Sequence, residues 1–297
     1  MGILKSSVIN CLLPLFMFTL AGCSKKAAEP STQDPSPAQP APGKAAPAPS
    51  ENHASVQPTD AGSAPAETNK GAQDAAVAAV QTKFKGKVRR APRSGQVTDV
   101  SLNRFLDGAT VTDAGLKELA PLLELTSLDL GRNAITDAGV KELLSFKKLS
   151  NLTLDDTLVT DNGMKDVARL TNLTGLGLNS TKVTDAGMKD LAGLTRLTTL
   201  NLSGTKVTDA GIKDLAPLKS LSWFWMPDEA TDAAMKDVAS HSELQTLFLN
   251  SLISDASVKE LATLKKLKLL NTINSRISES GVAELKKALP DCNILKK

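Results

Sequence analysis

Apolar residues recur with a fixed period over residues 97–297. Five leucines open successive units at intervals of 24 residues: Leu125, Leu149, Leu173, Leu197 and Leu221. Each unit begins with apolar first, fourth and sixth positions, as in LTTLNLSGTKVTDAGIKDLAPLKS from Leu197, which predicts a short strand and its lead-in. Ile212, Leu215 and Leu218 follow at helical spacing, so the second half of the unit is predicted to be a helix packed on the strand. We therefore expect a stack of equivalent strand–helix units.

A polar phrase marks the start of each predicted helix. T-D-A-G-[LMIV]-K-[DE]-[LV] begins at Thr112, Thr136, Thr184 and Thr208, and looser copies begin at Thr160, Thr231, Ser254 and Ser278. The threonine hydroxyl is placed to cap the helix, and the aspartate lies in the first turn, where the helix dipole favours negative charge. These copies in register predict one repeat domain over residues 97–297, which ends in a C-terminal cap.

This pattern resembles that of leucine-rich-repeat proteins, whose period is 20–29 residues. The chain is most similar to bacterial members with 24-residue repeats, whose strand-plus-helix unit is similar to ribonuclease-inhibitor-type repeats. The resemblance implies an α/β solenoid, shaped as a horseshoe, with a parallel inner sheet and outer helices. One departure follows the strand, where Asn133 is succeeded by Thr157, Thr181 and Thr205; a hydroxyl forms fewer hydrogen bonds than an amide.

The N-terminus predicts export and lipid attachment. A basic start with Lys5 precedes an apolar run over residues 8–20, which has the size of a secretory signal and is too short for a membrane span. The run ends in LAGC at Cys23, which resembles the bacterial lipoprotein box. The resemblance implies a signal peptide over residues 1–22 and a lipidated Cys23; the alternative is an ordinary signal peptide with an incidental cysteine. Ser24 favours the outer membrane by the enteric sorting rule, so we expect an anchored envelope lipoprotein.

The next segment, residues 23–70, is rich in Ala and Pro, and its few large apolar side chains predict a disordered linker. Residues 71–96 are predicted to cap the first repeat, because Val77, Val80 and Phe84 have helical spacing and stacked repeats need covered ends. The basic residues of this cap either bind anionic groups or form a solvated face. A net charge of only +3 does not suggest nucleic acid as a partner.

Aromatic residues single out one part of the predicted concave face. The third, fifth and seventh positions of each repeat point outward, and most are small and polar. Trp223 and Trp225, the two tryptophans of the chain, take the third and fifth positions of their repeat. We therefore predict an apolar ligand-binding patch with two polar flanks, formed by Trp223, Trp225, Phe248, Leu269, Asn201 and Asn271. The alternative is that the C-terminal tail or a loop covers these rings.

No enzyme motif with a catalytic spacing is evident in the sequence. His241 stands four residues after Asp237, without an evident nucleophile, and no metal-ligand spacing or phosphate loop appears. The carboxylates of Asp129, Asp155 and Asp156 either bind a cation or form a solvated acidic patch. No catalytic residue, metal or cofactor is predicted. The expected function is non-catalytic binding of a protein or peptide partner in the envelope; the alternatives are glycan binding and, as a minor one, a hydrolase.

Overall fold

The computed structural model describes residues 64–103 and 110–296, with side chains described from residue 69. The predicted signal peptide, Cys23 and most of the predicted linker lie outside these residues. Among the helices described, none has the length and apolar character needed to cross a membrane.

An N-terminal cap covers the first repeat. Helix α1, Ala64–Ala78, begins ahead of residue 71, where the sequence placed the start of the cap, and it continues into a π-helical turn, Ala79–Lys83. Val77, Val80 and Phe84 are buried against the first repeat, as their spacing predicts. Strand β1, Lys87–Arg90, pairs antiparallel with β2, Val97–Ser101, and an ion pair between Arg89 and Asp99 joins the two strands. The cap therefore closes one end of the sheet.

Ten strands in the described residues form one sheet in sequence order, and all pairs from β2 onward are parallel. Equivalent positions of neighbouring repeats pair directly, so a column of side chains at one position crosses the whole sheet. The remaining strands are β3 Ser127–Asp129, β4 Asn151–Thr153, β5 Gly175–Gly177, β6 Thr199–Asn201, β7 Trp223–Trp225, β8 Thr246–Phe248, β9 Leu269–Asn271 and β10 Asn293–Leu295. The parallel solenoid that the period predicts is confirmed.

A short helix follows each strand from β2 to β9. These helices are α2 Asp113–Leu116, α3 Asp137–Glu142, α4 Asp161–Val167, α5 Asp185–Leu191, α6 Asp209–Asp214, α7 Met235–Ala239, α8 Val258–Leu261 and α9 Glu279–Ala288. Helices of this length are not stable alone in water, so their stability comes from packing on the sheet and on neighbouring helices. The middle residue of each strand points into that layer and is buried, as Leu176, Leu200 and Phe224 illustrate.

The polar turns after β3 to β6 form fewer side-chain hydrogen bonds where threonine replaces asparagine, as the sequence predicts. The Asn133 amide donates to the carbonyls of Leu102, Leu130 and Gly131 at 2.8, 3.0 and 3.1 Å, and its oxygen accepts from the N–H of Val111 at 2.9 Å. The three threonines that replace it each donate to the carbonyl three residues earlier, at 2.6 to 2.7 Å: Thr157, Thr181 and Thr205. All four side chains are buried.

The T-D-A-G phrase joins consecutive repeats as well as capping each helix. Thr184 accepts from the N–H of Ala186 at 3.3 Å, so it caps its own helix as predicted. Its own N–H and hydroxyl donate to the two carboxylate oxygens of Asp161, in the preceding repeat, at 2.7 and 2.8 Å. The N–H of Gly187 also donates to Asp161, at 3.1 Å. The aspartate in the first turn of one helix thus caps the next helix.

The same tie recurs through the stack. An aspartate accepts from the capping N–H of the following repeat in the pairs Asp113–Thr136, Asp137–Thr160, Asp161–Thr184, Asp185–Thr208, Asp209–Thr231, Asp232–Ser254 and Asp255–Ser278. The glycine of the phrase leaves room for this carboxylate, since a Cβ on Gly187 would lie 2.8 Å from Asp161 Oδ1. Where Ala234 and Ser257 replace the glycine, the helix begins with a 3₁₀ turn.

We expect Asp161→Ala to lower the free energy of unfolding by about 2–3 kcal/mol, because three donors lose a charged acceptor and the cap of α5 is weakened. Urea denaturation of the variant and the parent chain measures the change. Asp190→Ala, in α5, is the matched control and should change stability by less than about 0.5 kcal/mol. Equal losses in the two variants would contradict the role given to the inter-repeat bonds.

Candidate functional site

Three aromatic rings stack on the concave face and are called here the aromatic stack: Trp223, Trp225 and Phe248. The centroids of Trp223 and Trp225 are 6.4 Å apart with an interplanar angle of 26°, and those of Trp225 and Phe248 are 4.8 Å apart at 11°. Phe224 lies between the tryptophans in β7 and points into the core, where it is buried. Both tryptophans therefore leave the same side of β7, and Trp225 occupies the middle of the stack.

Strand pairing brings all six predicted site residues onto one face at two levels. One level contains Asn201, Trp225, Phe248 and Asn271, and the other contains Thr199, Trp223, Thr246 and Leu269. The side chains of Trp223, Trp225 and Leu269 are half-buried. The C-terminal strand β10 pairs with β9, so it extends the sheet at its edge. Both tryptophan rings remain partly exposed.

Three of the predicted site residues, Phe248, Asn201 and Asn271, also contact other parts of the domain. Phe248 is only 7% exposed, because the Trp225 ring lies over it, so it supports the stack more than it offers surface. Asn271 Oδ1 accepts from the N–H of Ile273 at 3.0 Å, and Asn201 Oδ1 accepts from the N–H of Ser203 at 3.1 Å. The asparagine side chains thus shape the turns after their strands while flanking the aromatic residues.

Two carboxylates on the N-terminal half of the face, those of Asp129 and Asp155, accept hydrogen bonds from neutral donors. Asp129 accepts hydrogen bonds from Gly131 N–H at 3.0 Å, Asn103 Nδ2 at 3.3 Å and Ser101 Oγ at 3.2 Å. Burial raises the pKa of Asp129, and these three hydrogen bonds oppose that rise. A Cβ on Gly131 would lie 3.2 Å from Asp129 Oδ1, so the glycine accommodates the carboxylate.

Asp155 is the most perturbed of these acids. Burial is the main cause that raises its pKa to about 7; Asp129 and Asp156 raise it further, while the Asn179 N–H, which donates at 2.9 Å, and Arg132 lower it. Arg132 and Asp156 occupy equivalent turn positions in adjacent repeats and form an ion pair at 3.3 Å. A fully solvated acidic patch, one of the two sequence alternatives, does not describe Asp155. Within the described residues no group of three or more His, Cys, Asp or Glu side chains is arranged to hold a metal ion.

His241 is part of the packing between repeats. Its side chain is 1% exposed, and Nδ1 lies 3.1 Å from the carbonyl oxygen of Leu218. Burial lowers the pKa of His241, an effect that the Leu218 hydrogen bond opposes. The histidine that the sequence placed near Asp237 thus contacts the backbone of the preceding repeat.

Comparison with known proteins agrees with the repeat geometry. Residues 125–144 and 194–216 match the family model described as Leucine Rich repeat. The described part of the chain has the fold of a leucine-rich-repeat solenoid. It is similar to the crystal structure of internalin C2 from Listeria monocytogenes, with 25% identity and a TM-score of 0.50 over 76% of this chain and 93% of the internalin chain.

Two further solved structures are similar to this leucine-rich-repeat chain. An internalin (inlF) from Listeria monocytogenes is 21% identical, with a TM-score of 0.47 over 78% of this chain and 74% of that one. A leucine-rich-repeat protein from Leptospira interrogans is 27% identical, with a TM-score of 0.46 over 60% of this chain and 45% of that one. No curated protein matches the sequence.

We expect Asp155→Asn to stabilise the repeat domain at pH 8 and to leave its stability nearly unchanged at about pH 3, below the unfolded pKa of an aspartate. The folded pKa of Asp155, about 7, lies above its unfolded value, so stability falls as pH rises between the two values and the carboxylate ionises in the folded state. Asparagine does not ionise and still accepts from the Asn179 N–H. Melting temperatures at the two pH values test this, and a variant that is less stable at pH 8 would contradict the assignment.

Proposed function

We propose that this protein is a lipid-anchored, non-catalytic envelope protein whose concave leucine-rich-repeat face binds a protein or peptide partner. The observation that carries the proposal is the pair Trp223 and Trp225, half-buried on a face whose outward positions are mostly small and polar. Leucine-rich-repeat proteins generally mediate protein–protein interactions, and solenoids use their concave surface for this purpose. The strand-plus-helix unit supports assignment of the repeats to the ribonuclease-inhibitor type.

The aromatic stack has the properties of a binding anchor. Tryptophan contributes a large contact area with few rotatable bonds, and it is enriched among residues that dominate interface energy. Because Trp225 stacks on the buried Phe248 and contacts Trp223, the rings are held in place before a partner arrives. A preorganised surface loses little side-chain entropy when it binds.

The spacing of the rings excludes one mode of glycan binding, a sugar ring held between two of them. A sugar ring held between two aromatic faces needs about 7–8 Å between them, which is twice the carbon–carbon contact distance. The centroid separations of 6.4 and 4.8 Å are too small for such a sandwich. The outer face of Trp223 and the edges of the indole rings are what the stack offers, and these suit apolar side chains.

The proposed anchor rests on the sequence that ends at Cys23. The LAGC box after an apolar run supports cleavage before the cysteine and lipid attachment to its thiol. More than one acyl chain is needed for stable membrane attachment, since one chain gives marginal binding. The envelope, and the outer membrane in particular, is the location that we propose.

We expect Trp223→Ala to weaken partner binding about thirtyfold or more, since removing an interface tryptophan commonly costs about 2 kcal/mol. Trp223 lies at the end of the stack, so its loss leaves Trp225 over Phe248 and should not unfold the domain. Binding is measured with peptides selected from a displayed random library on the parent chain.

Trp223→Phe, which keeps an aromatic ring, is the conservative control. Thr153→Ala, on β4, is a control on the same face three strands from β7. Both variants should retain most of the affinity. Unchanged binding by Trp223→Ala, with unchanged circular dichroism, would place the binding site elsewhere.

We expect Cys23→Ala to release the protein from the membrane fraction or to leave the precursor uncut, because the acylated thiol is absent. Fractionation and labelling with an acyl-chain probe in a bacterial host measure the outcome, and Cys292→Ala is the matched control. Acyl-labelled, membrane-bound mature protein in the Cys23→Ala variant would refute the lipoprotein assignment.

A further inference from the structure

The concave face has two chemically different halves. Asp129 and Asp155 lie on or just after strands β3 and β4, whereas the aromatic stack lies on β7 and β8. Asp99, on β2, is already neutralised by its ion pair with Arg89. A partner that covers the face must therefore match carboxylates at one end and aromatic rings at the other.

The acidic end of the face, formed by Asp129 and Asp155, favours a cationic group that a binding partner supplies. The donors described for Asp129 are neutral, and the described hydrogen bond to Asp155 is also from a neutral N–H. Arg132 approaches this group, but its ion pair is with Asp156. Burial and the carboxylates of Asp129 and Asp156 raise the pKa of Asp155, while the Asn179 N–H and the Arg132 charge lower it, so the described contacts compensate the ionised carboxylate only in part. A guanidinium or ammonium group would supply that compensation.

The region between the two halves has small side chains. β5 presents Gly175 and Gly177, and β6 presents Thr199 and Asn201. A Cβ on Gly177 would lie 2.7 Å from Asp155 Oδ1, so the same glycine that admits the carboxylate also keeps the floor of the face low. A peptide backbone can therefore pass from the acids to the aromatic stack.

The strand spacing fixes the length of such a peptide. β3 is four strands and β4 is three strands from β7, which corresponds to about 14–19 Å at about 4.8 Å per strand. An extended peptide rises about 3.3 Å per residue, so this distance spans about four to six residues.

We propose that the partner of this face is an extended peptide segment that places a Lys or Arg side chain at Asp155 and Asp129 and an apolar side chain, about four to six residues away, against Trp223 and Trp225. The inference rests on the proposed function and specifies the chemistry of its partner. Charge complementarity selects the occupant at one end of the face, and apolar contact selects it at the other.

The test uses a random dodecapeptide library displayed on phage and selected on the full chain, and each enriched peptide is then assayed against the Trp223→Ala/Trp225→Ala double variant. Enriched peptides that lack Trp and His are synthesised with a fluorescent label, and binding is followed by anisotropy. Quenching of intrinsic fluorescence reports the site directly, because both tryptophans of the chain lie in the stack.

The expected peptides carry Lys or Arg about four to six residues from an apolar residue. Asp155→Asn should weaken their binding about tenfold or more, while Asp190→Asn, on α5, leaves it unchanged. With a pKa of about 7 for Asp155, affinity for the parent chain should rise up to about tenfold between pH 6 and pH 8, because the ionised fraction rises by that factor. Asp155→Asn should remove this pH dependence.

The outcomes separate the two proposals. Peptides that require the tryptophans but lack a basic residue, or that bind Asp155→Asn as tightly as the parent, overturn the charge assignment and leave the proposed function standing. Failure to enrich any peptide, or enrichment of peptides that bind the double variant equally well, overturns both. Tryptophan-dependent binding to a glycan array without peptide binding also overturns both and supports the glycan alternative.

Discussion

Between neighbouring repeats, an aspartate carboxylate accepts hydrogen bonds from the capping threonine or serine of the next helix. The helices are short, and helices of this length have little stability of their own. The carboxylate fixes where the next helix begins and therefore how far it is displaced along the stack. Because the same tie recurs at the same position, it also sets the strand register, which pairs equivalent residues of successive repeats across the sheet.

Because of this register, a substitution at an outward position of one repeat changes the concave face at one defined place. Leu128, Leu152 and Leu176 point inward at one position, so the outward columns on either side are free to vary without loss of the core. Trp223 and Trp225 occupy two such columns in one repeat, and Phe248 follows in the next. Substitution at a few outward positions, within a constant scaffold, is sufficient to produce an acidic half and an aromatic half.

Periodicity alone predicted the sheet, the inward leucines and the common side of the two tryptophans, because these depend on strand alternation within one unit. Contacts between units were harder to predict. The partner of Asp161 in the next repeat depends on how repeats stack, and the burial of Phe248 depends on the orientation of the Trp225 ring. The sequence also placed the start of the cap at residue 71, seven residues after the described start of α1, because APAETNK lacks an apolar stripe.

Two aspartates of this chain, Asp255 and Asp155, differ in what their surroundings do to the ionised carboxylate. On the helix side, the side-chain and backbone hydrogen bonds of Ser278 lower the pKa of Asp255, so the charged carboxylate stabilises the stack. On the concave face, burial raises the pKa of Asp155, so the charged carboxylate weakens the fold. Retaining an acid where a neutral side chain of the same shape would be more stable is typical of positions that serve binding. By this criterion Asp155 fits the binding face that we propose, and Asp255 belongs with the scaffold.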